Sequence, residues 1–120
     1  MSYDDNNVFA RILRGEIPAK RLYEDEHVLA IADINPQTPT HILVIPKGKY
    51  VSFDDFSEHA SDAEITALTR AVGKIAREAG IAESGYRLIA NHGRDSLQEV
   101  PHLHIHILGG RVMGPLVVRR

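Results

Sequence analysis

Three histidines alternate with aliphatic residues in Pro101-His102-Leu103-His104-Ile105-His106-Ile107-Leu108-Gly109-Gly110. On an extended strand, side chains at i, i+2 and i+4 share a face, so the spacing predicts His102, His104 and His106 in a row with Leu103, Ile105 and Ile107 opposite. Imidazoles cover a sheet less well than Leu or Val and need hydrogen-bond partners once buried, so three in strict alternation point to chemistry rather than packing. A neutral imidazole nitrogen is a competent nucleophile near a pKa of about 6.5. A metal site is the rival. His102 and His106 would stand roughly 13 Å apart along a straight strand, whereas zinc ligands approach within about 2.1 Å. The row suits a larger anionic guest such as a phosphate, with one imidazole attacking and its neighbours donating hydrogen bonds. Like charges depress one another's pKa, so mixed protonation is expected, with His104 neutral and one neighbour charged or donating.

Several elements must position that row. Asn7 to Arg14 predicts a short helix: Val8, Phe9, Ile12 and Leu13 recur at helical spacing, Asn6 or Asn7 can cap it, and Gly15 can end it. Its apolar face is either plain core or, with Ile17, a wall for a planar ring. Leu22 to Glu24, Val28 to Asp33 and His41 to Ile45 read as strands, the last two joined by a loop stiffened by Pro36 and Pro39. Asp33 is then either a turn residue or an acceptor for a ribose diol, and His41 starts the next strand, where it can simply be exposed. Lys47 to Glu58 reads as irregular and solvated. Ser61 and Glu64 form a capping-box pattern ahead of a helix to Ala79, closed by Gly80, with Ile65, Leu68, Val72, Ile75 and Ala76 on one face. Tyr86 to Asn91 is a further strand, and Asn91 to Ser96 a polar loop leading into the histidine row.

The sum is five strands and two helices, which predicts an α+β fold with helices over part of an antiparallel sheet. The exposed edges of so small a sheet favour pairing with a second copy into a continuous sheet. The chain has 120 residues, 43% of them hydrophobic and 25% charged, values that fit one globular domain over residues 1–120. With no cysteine, disulfides and thiolate metal sites are excluded, in keeping with a cytoplasmic location. No secretory or membrane-spanning segment is expected, and a net charge of -2 argues against binding of nucleic-acid polymers.

The histidine pattern resembles the signature of the histidine triad (HIT) family of nucleotide hydrolases and transferases, and the likeness to its Hint-type branch extends over nearly the whole chain. Further stretches that carry it are Arg14-Gly15-Glu16-Ile17-Pro18-Ala19-Lys20, Asn35-Pro36-Gln37-Thr38-Pro39-Thr40-His41, Val44-Ile45-Pro46-Lys47 and Gln98 through Arg111. The resemblance implies a homodimer that hydrolyses purine nucleoside 5′-phosphoramidates, AMP joined through nitrogen to an amine or lysine, with no cofactor and no metal. It implies His104 as the nucleophile, His102 as an orienting residue, His106 as a phosphate contact and His41 as a relay. Asp33 corresponds to the ribose carboxylate; Phe9, Ile12, Ile17, Ile31 and Ile34 to the base pocket; Asn91, Gln98 and Glu99 to the phosphate side. Glu99 and Leu97 stand where animal members have serine and glycine, which bears on the leaving group. Two other functions share these residues: hydrolysis of dinucleoside polyphosphates, and nucleotide binding by a regulatory protein with little turnover.

Overall fold

The structure, a computed structural model, describes residues 2–118. Helix α1 (Val8–Leu13) begins where the Asn7 side chain accepts from the Ala10 amide at 2.9 Å, satisfying one of the amides that a helix start leaves without a partner. Strands β1 (Arg21–Glu24), β2 (Val28–Ala32) and β3 (Thr40–Pro46) follow, then helices α2 (Phe53–His59) and α3 (Asp62–Glu78). Strand β4 (Tyr86–Ile89), a 3-10 turn (Arg94–Ser96) and β5 (Ile105–Gly109) complete the chain. The five strands form one antiparallel sheet in the order β1-β2-β3-β5-β4.

Strand alternation sorts β2 and β3 onto two cores. Val28, Ala30, Ile42 and Val44 point to the face covered by Phe56 of α2 and by Leu68, Val72 and Ile75 of α3. Leu29, Ile31, Leu43 and Ile45 point to the other face, where Phe9 and Ile12 of α1 pack. Being buried on both sides, these strands read as unbroken apolar runs rather than alternating ones. α3 starts with the expected capping box: the Glu64 amide donates to Ser61 Oγ at 3.1 Å and the Ser61 amide to Glu64 Oε1 at 3.0 Å. Among the described residues, no helix is long and apolar enough to cross a membrane.

Two expectations need correction. Residues 53–59, read as irregular, form α2; only Phe56 of its seven residues is buried, so the segment has no apolar repeat to betray it. The histidine row is not one strand either. β5 starts at Ile105, and the chain before it bends, with the His102 amide on the Val100 carbonyl at 2.9 Å and the Leu103 amide on the Tyr50 carbonyl at 2.8 Å. Pro101 lacks an amide and restricts the residue before it, which removes a rung from any ladder through this stretch.

Candidate active site

The bend divides the three histidines. His106 lies on β5 opposite Leu43, so it faces the α1 side of the sheet. His102 is fully buried behind the site. Its Nε2 lies 2.8 Å from the Pro46 carbonyl, which can only accept, so Nε2 carries the hydrogen. Its bare Nδ1 then accepts from the Tyr3 hydroxyl at 2.5 Å. The main-chain carbonyl of His102 accepts from His104 Nδ1 at 2.8 Å. The hydrogen of a singly protonated His104 therefore sits on Nδ1, and Nε2 is left with a free lone pair. Phe9 meets the His104 ring edge-on, with centroids 4.8 Å apart.

A second chain of bonds reaches His106 through His41. The sequence left His41 open as an exposed strand-end residue; it is buried, one diagonal step from His106 across β3 and β5. The Gln37 amide donates to His41 Nδ1 at 3.0 Å, so the hydrogen of that ring lies on Nε2. Nε2 lies 2.9 Å from His106 Nδ1 and 3.4 Å from Asp33 Oδ2. His106 Nδ1 accepts, which puts the His106 hydrogen on Nε2. Asp33 also accepts from the Asn35 amide at 2.8 Å, so its turn role and its place in this chain coexist.

Burial is the first cause of the low proton affinity of all three triad residues. It lowers the His102 pKa against the bond to Pro46, and the His104 pKa against the His102 carbonyl and the charges of Asp33 and Glu99. His106 is pushed down to about 4, by burial and then by its neighbours His104 and His41. Like-charge repulsion, the cause anticipated, is secondary to burial; all three imidazoles shift toward the neutral form, so of the two alternatives, a charged or a donating neighbour, the structure leaves His106 with a hydrogen on Nε2 to donate.

Histidines 104 and 106 open into a cavity of about 610 Å³ between α1, the sheet and residues 91–100. Phe9, Ile12, Ile17, Ile31, Asp33, Ile34, Asn91, Gln98 and Glu99 all line it; His41 and His102 do not, and act from behind its wall. Ile34 is fully exposed at the rim. Gln98, expected to face phosphate, spends its amide on the protein: Oε1 accepts from Gly93 at 3.0 Å, and Nε2 donates to the Val51 and Val100 carbonyls at 2.7 and 3.1 Å. Sequence reasoning also passed over lining residues. Leu43 shares the face of Ile45 on β3 and was within reach of the alternation argument; Pro18, Ala19 and Ser96 enter through loop paths that carry no periodic signal, and Leu97, singled out only for its place in the family pattern, also lines the cavity. Among the described residues, no lysine or arginine lines the cavity.

A metal does not suit this arrangement. Both ring nitrogens of His102 are engaged, so the row cannot supply three ligands. Asp33, His41 and His106 do bring donor atoms within 4.8 Å of one another. Coordination through His41 Nε2 would, however, require the ring hydrogen on Nδ1, where it would meet the Gln37 amide hydrogen.

An imidazole with a free lone pair beside an apolar slot, backed by a second histidine that presents a hydrogen, brings a potential nucleophile and a hydrogen-bond donor to one cavity. Comparison gives the chain its family. The HIT domain family model matches residues 14–113. A 13.2 kDa HIT-like protein of Azospirillum brasilense is 64% identical over 118 residues, 98% of this chain and 97% of its own. The purine nucleoside phosphoramidase of Escherichia coli (strain K12) is 45% identical over 116 residues, 97% of each chain. Among solved structures, a HIT family hydrolase from Clostridium thermocellum superposes with a TM-score of 0.86 at 44% identity, covering 96% of this chain and 99% of that one. A histidine triad protein from Clostridium difficile gives 0.83 at 42%, covering 98% and 100%. The chain belongs to the HIT family and is a hydrolase of that superfamily.

Proposed function

We propose that this hydrolase cleaves the P–N bond of purine nucleoside 5′-phosphoramidates through a nucleotidyl-His104 intermediate. The observation that carries the reading is the pairing of a free His104 Nε2 with a cavity that contains two carboxylates, Asp33 and Glu99, and, among the described residues, no lysine or arginine. A phosphoramidate carries a single negative charge at phosphorus; a dinucleoside polyphosphate brings several, and would meet carboxylates without cationic side chains to offset them. The name of the Escherichia coli relative agrees with the choice.

In this mechanism the base lies in the slot of Phe9, Ile12, Ile17 and Ile31, and Asp33 accepts from the ribose hydroxyls. His104 Nε2 attacks the α-phosphorus while His106 Nε2–H donates to a phosphoryl oxygen. The P–N bond breaks with its electron pair on nitrogen, which takes up a proton, and the amine leaves. Water then attacks phosphorus, the P–Nε2 bond breaks, the nucleoside monophosphate departs, and the proton consumed in the first step is returned. Burial keeps His104 in the bare form that the first step needs.

The same reading includes a cytoplasmic homodimer. β4 is an edge strand whose Tyr86 and Leu88 side chains are 38% and 49% exposed, an apolar margin that a second copy would cover while extending the sheet. Sedimentation at two concentrations tests it, a monomer at both being the contrary result.

The deciding assay measures AMP release from adenosine 5′-phosphoramidate and from diadenosine triphosphate, for wild type and His104→Ala. Turnover of the phosphoramidate, absent in the variant, is expected. Faster cleavage of the dinucleotide would move the protein to the polyphosphate reading, and AMP binding with no turnover of either would make it a regulatory binder.

A further inference from the structure

Tyr3 precedes the residues matched by the family model, which begin at 14. It is nonetheless tied to the triad. Its hydroxyl donates to His102 Nδ1 at 2.5 Å, and its ring meets the His102 ring edge-on with centroids 5.5 Å apart. Nor is the segment that carries it loose. Asn7 Nδ2 donates to the Asp4 carbonyl at 2.8 Å, Arg14 donates to the Asp5 carbonyl at 2.8 Å, and Lys49 pairs with the Asp5 carboxylate at 2.8 Å.

We propose that Tyr3 is a positioning residue for the hydrolase, holding the His102 ring and, through the His102 carbonyl, the hydrogen of His104 on Nδ1. His102 has two ring anchors. The Pro46 carbonyl engages Nε2 from the sheet side, and the Tyr3 hydroxyl engages Nδ1 from the N-terminal segment. Among the described residues, the buried ring has no other polar partner. Removing the hydroxyl leaves a buried lone pair unsatisfied, and a ring held at one nitrogen can relieve this only by shifting. The His102 carbonyl moves with the residue that bears it, and that carbonyl is the acceptor that keeps the His104 hydrogen on Nδ1. Where that bond weakens, the hydrogen redistributes to Nε2, and a protonated Nε2 has no lone pair for phosphorus. Tyr3 does not line the cavity, so substrate binding is untouched.

The inference rests on the phosphoramidase reading for its kinetic arm and not for its spectroscopic arm. Tyr3→Phe keeps the ring and removes only the hydroxyl. For the full chain, kcat and KM are measured on adenosine 5′-phosphoramidate, and the ring-nitrogen signals of the histidines are followed by ¹⁵N NMR, in which bare and protonated nitrogens are far apart. The expected result is a kcat lower by about three- to tenfold, the equivalent of part of one hydrogen bond, with KM unchanged. It is accompanied by a gain of protonated character at His104 Nε2. A purely structural role would lower the melting temperature and leave both the kcat-to-KM split and the His104 signals as in wild type, which would overturn the proposal. If wild type itself fails to cleave the phosphoramidate, the functional reading falls, while the His104 signals in the two proteins still decide the role of Tyr3.

Discussion

Gln98 separates two accounts of the loop over residues 91–100. As a phosphate contact, its loss would weaken binding and leave the fold alone. As a clasp, its three hydrogen bonds to Gly93, Val51 and Val100 hold that loop against the segment before α2. Each bond contributes about 0.5–1.5 kcal/mol net, so Gln98→Ala is expected to cost about 2–3 kcal/mol. Unfolding entropy scales with length, and for a chain of 120 residues 1 kcal/mol corresponds to about 4 °C. The melting temperature should therefore drop by about 8–12 °C, measured by circular dichroism and checked by urea titration. Gln98→Glu should be worse than Ala, because a second carboxylate oxygen would replace Nε2 and face two carbonyl oxygens. KM should rise in both variants, since Asn91, which lines the cavity, rides on the same loop. A Gln98→Ala protein that melts within about 2 °C of wild type while KM rises would refute the clasp and restore the phosphate contact.

The charge and proton arrangement sets three more outcomes. The triad histidines bind protons less readily when folded, His106 with a pKa near 4, than the ordinary 6.5 that they recover on unfolding. Between those values the unfolded chain binds more protons, so stability should fall as pH is lowered from 6.5 toward 4 and be level in this respect above 6.5, as a series of thermal melts will report. By the same shift, the acidic limb of kcat/KM should have its midpoint below 6.5, and a midpoint above it would mean that His104 is not the group being titrated. For Glu99→Gln, calorimetry should find AMP and ADP bound about two- to fivefold more tightly, with the larger gain for ADP and a smaller one at high salt. Equal affinities for variant and wild type would show that the carboxylate does not act on the bound phosphate.

The sequence made the strands, α1 and the Ser61 capping box legible, because each leaves a local mark: a two-residue alternation, a helical stripe or a cap; the loop residues that line the cavity leave none, and most of those anticipated came from the family resemblance. Helix α2 left none, since Phe56 alone anchors it. The break before β5 was signalled by Pro101, yet the regular spacing of the histidines outweighed that signal and suggested a continuous strand. Gln98 was ambiguous for a different reason. Its amide suits a phosphate and a carbonyl equally well, and the choice depends on where Val51 and Gly93 lie, far from it along the chain or across a turn. Tyr3 and Gln37 were invisible as partners because the first acts over 99 positions and the second through its main chain.

The hydrogens on His104 and His41 are fixed by a main-chain carbonyl and a main-chain amide, those of His102 and Gln37. No side-chain substitution at residues 37 or 102 deletes these groups, proline at 37 excepted. The hydrogens of His104 and His41 are thus held directly by the path of the chain, and a side chain such as Tyr3 acts on the first only through that path. Drift at those positions can bend the control but not erase it. Under the proposed mechanism, an engineer seeking a different leaving group can therefore recast the rim at Ile34, Leu97 and Glu99 while the His102 carbonyl still holds the hydrogen on His104 Nδ1.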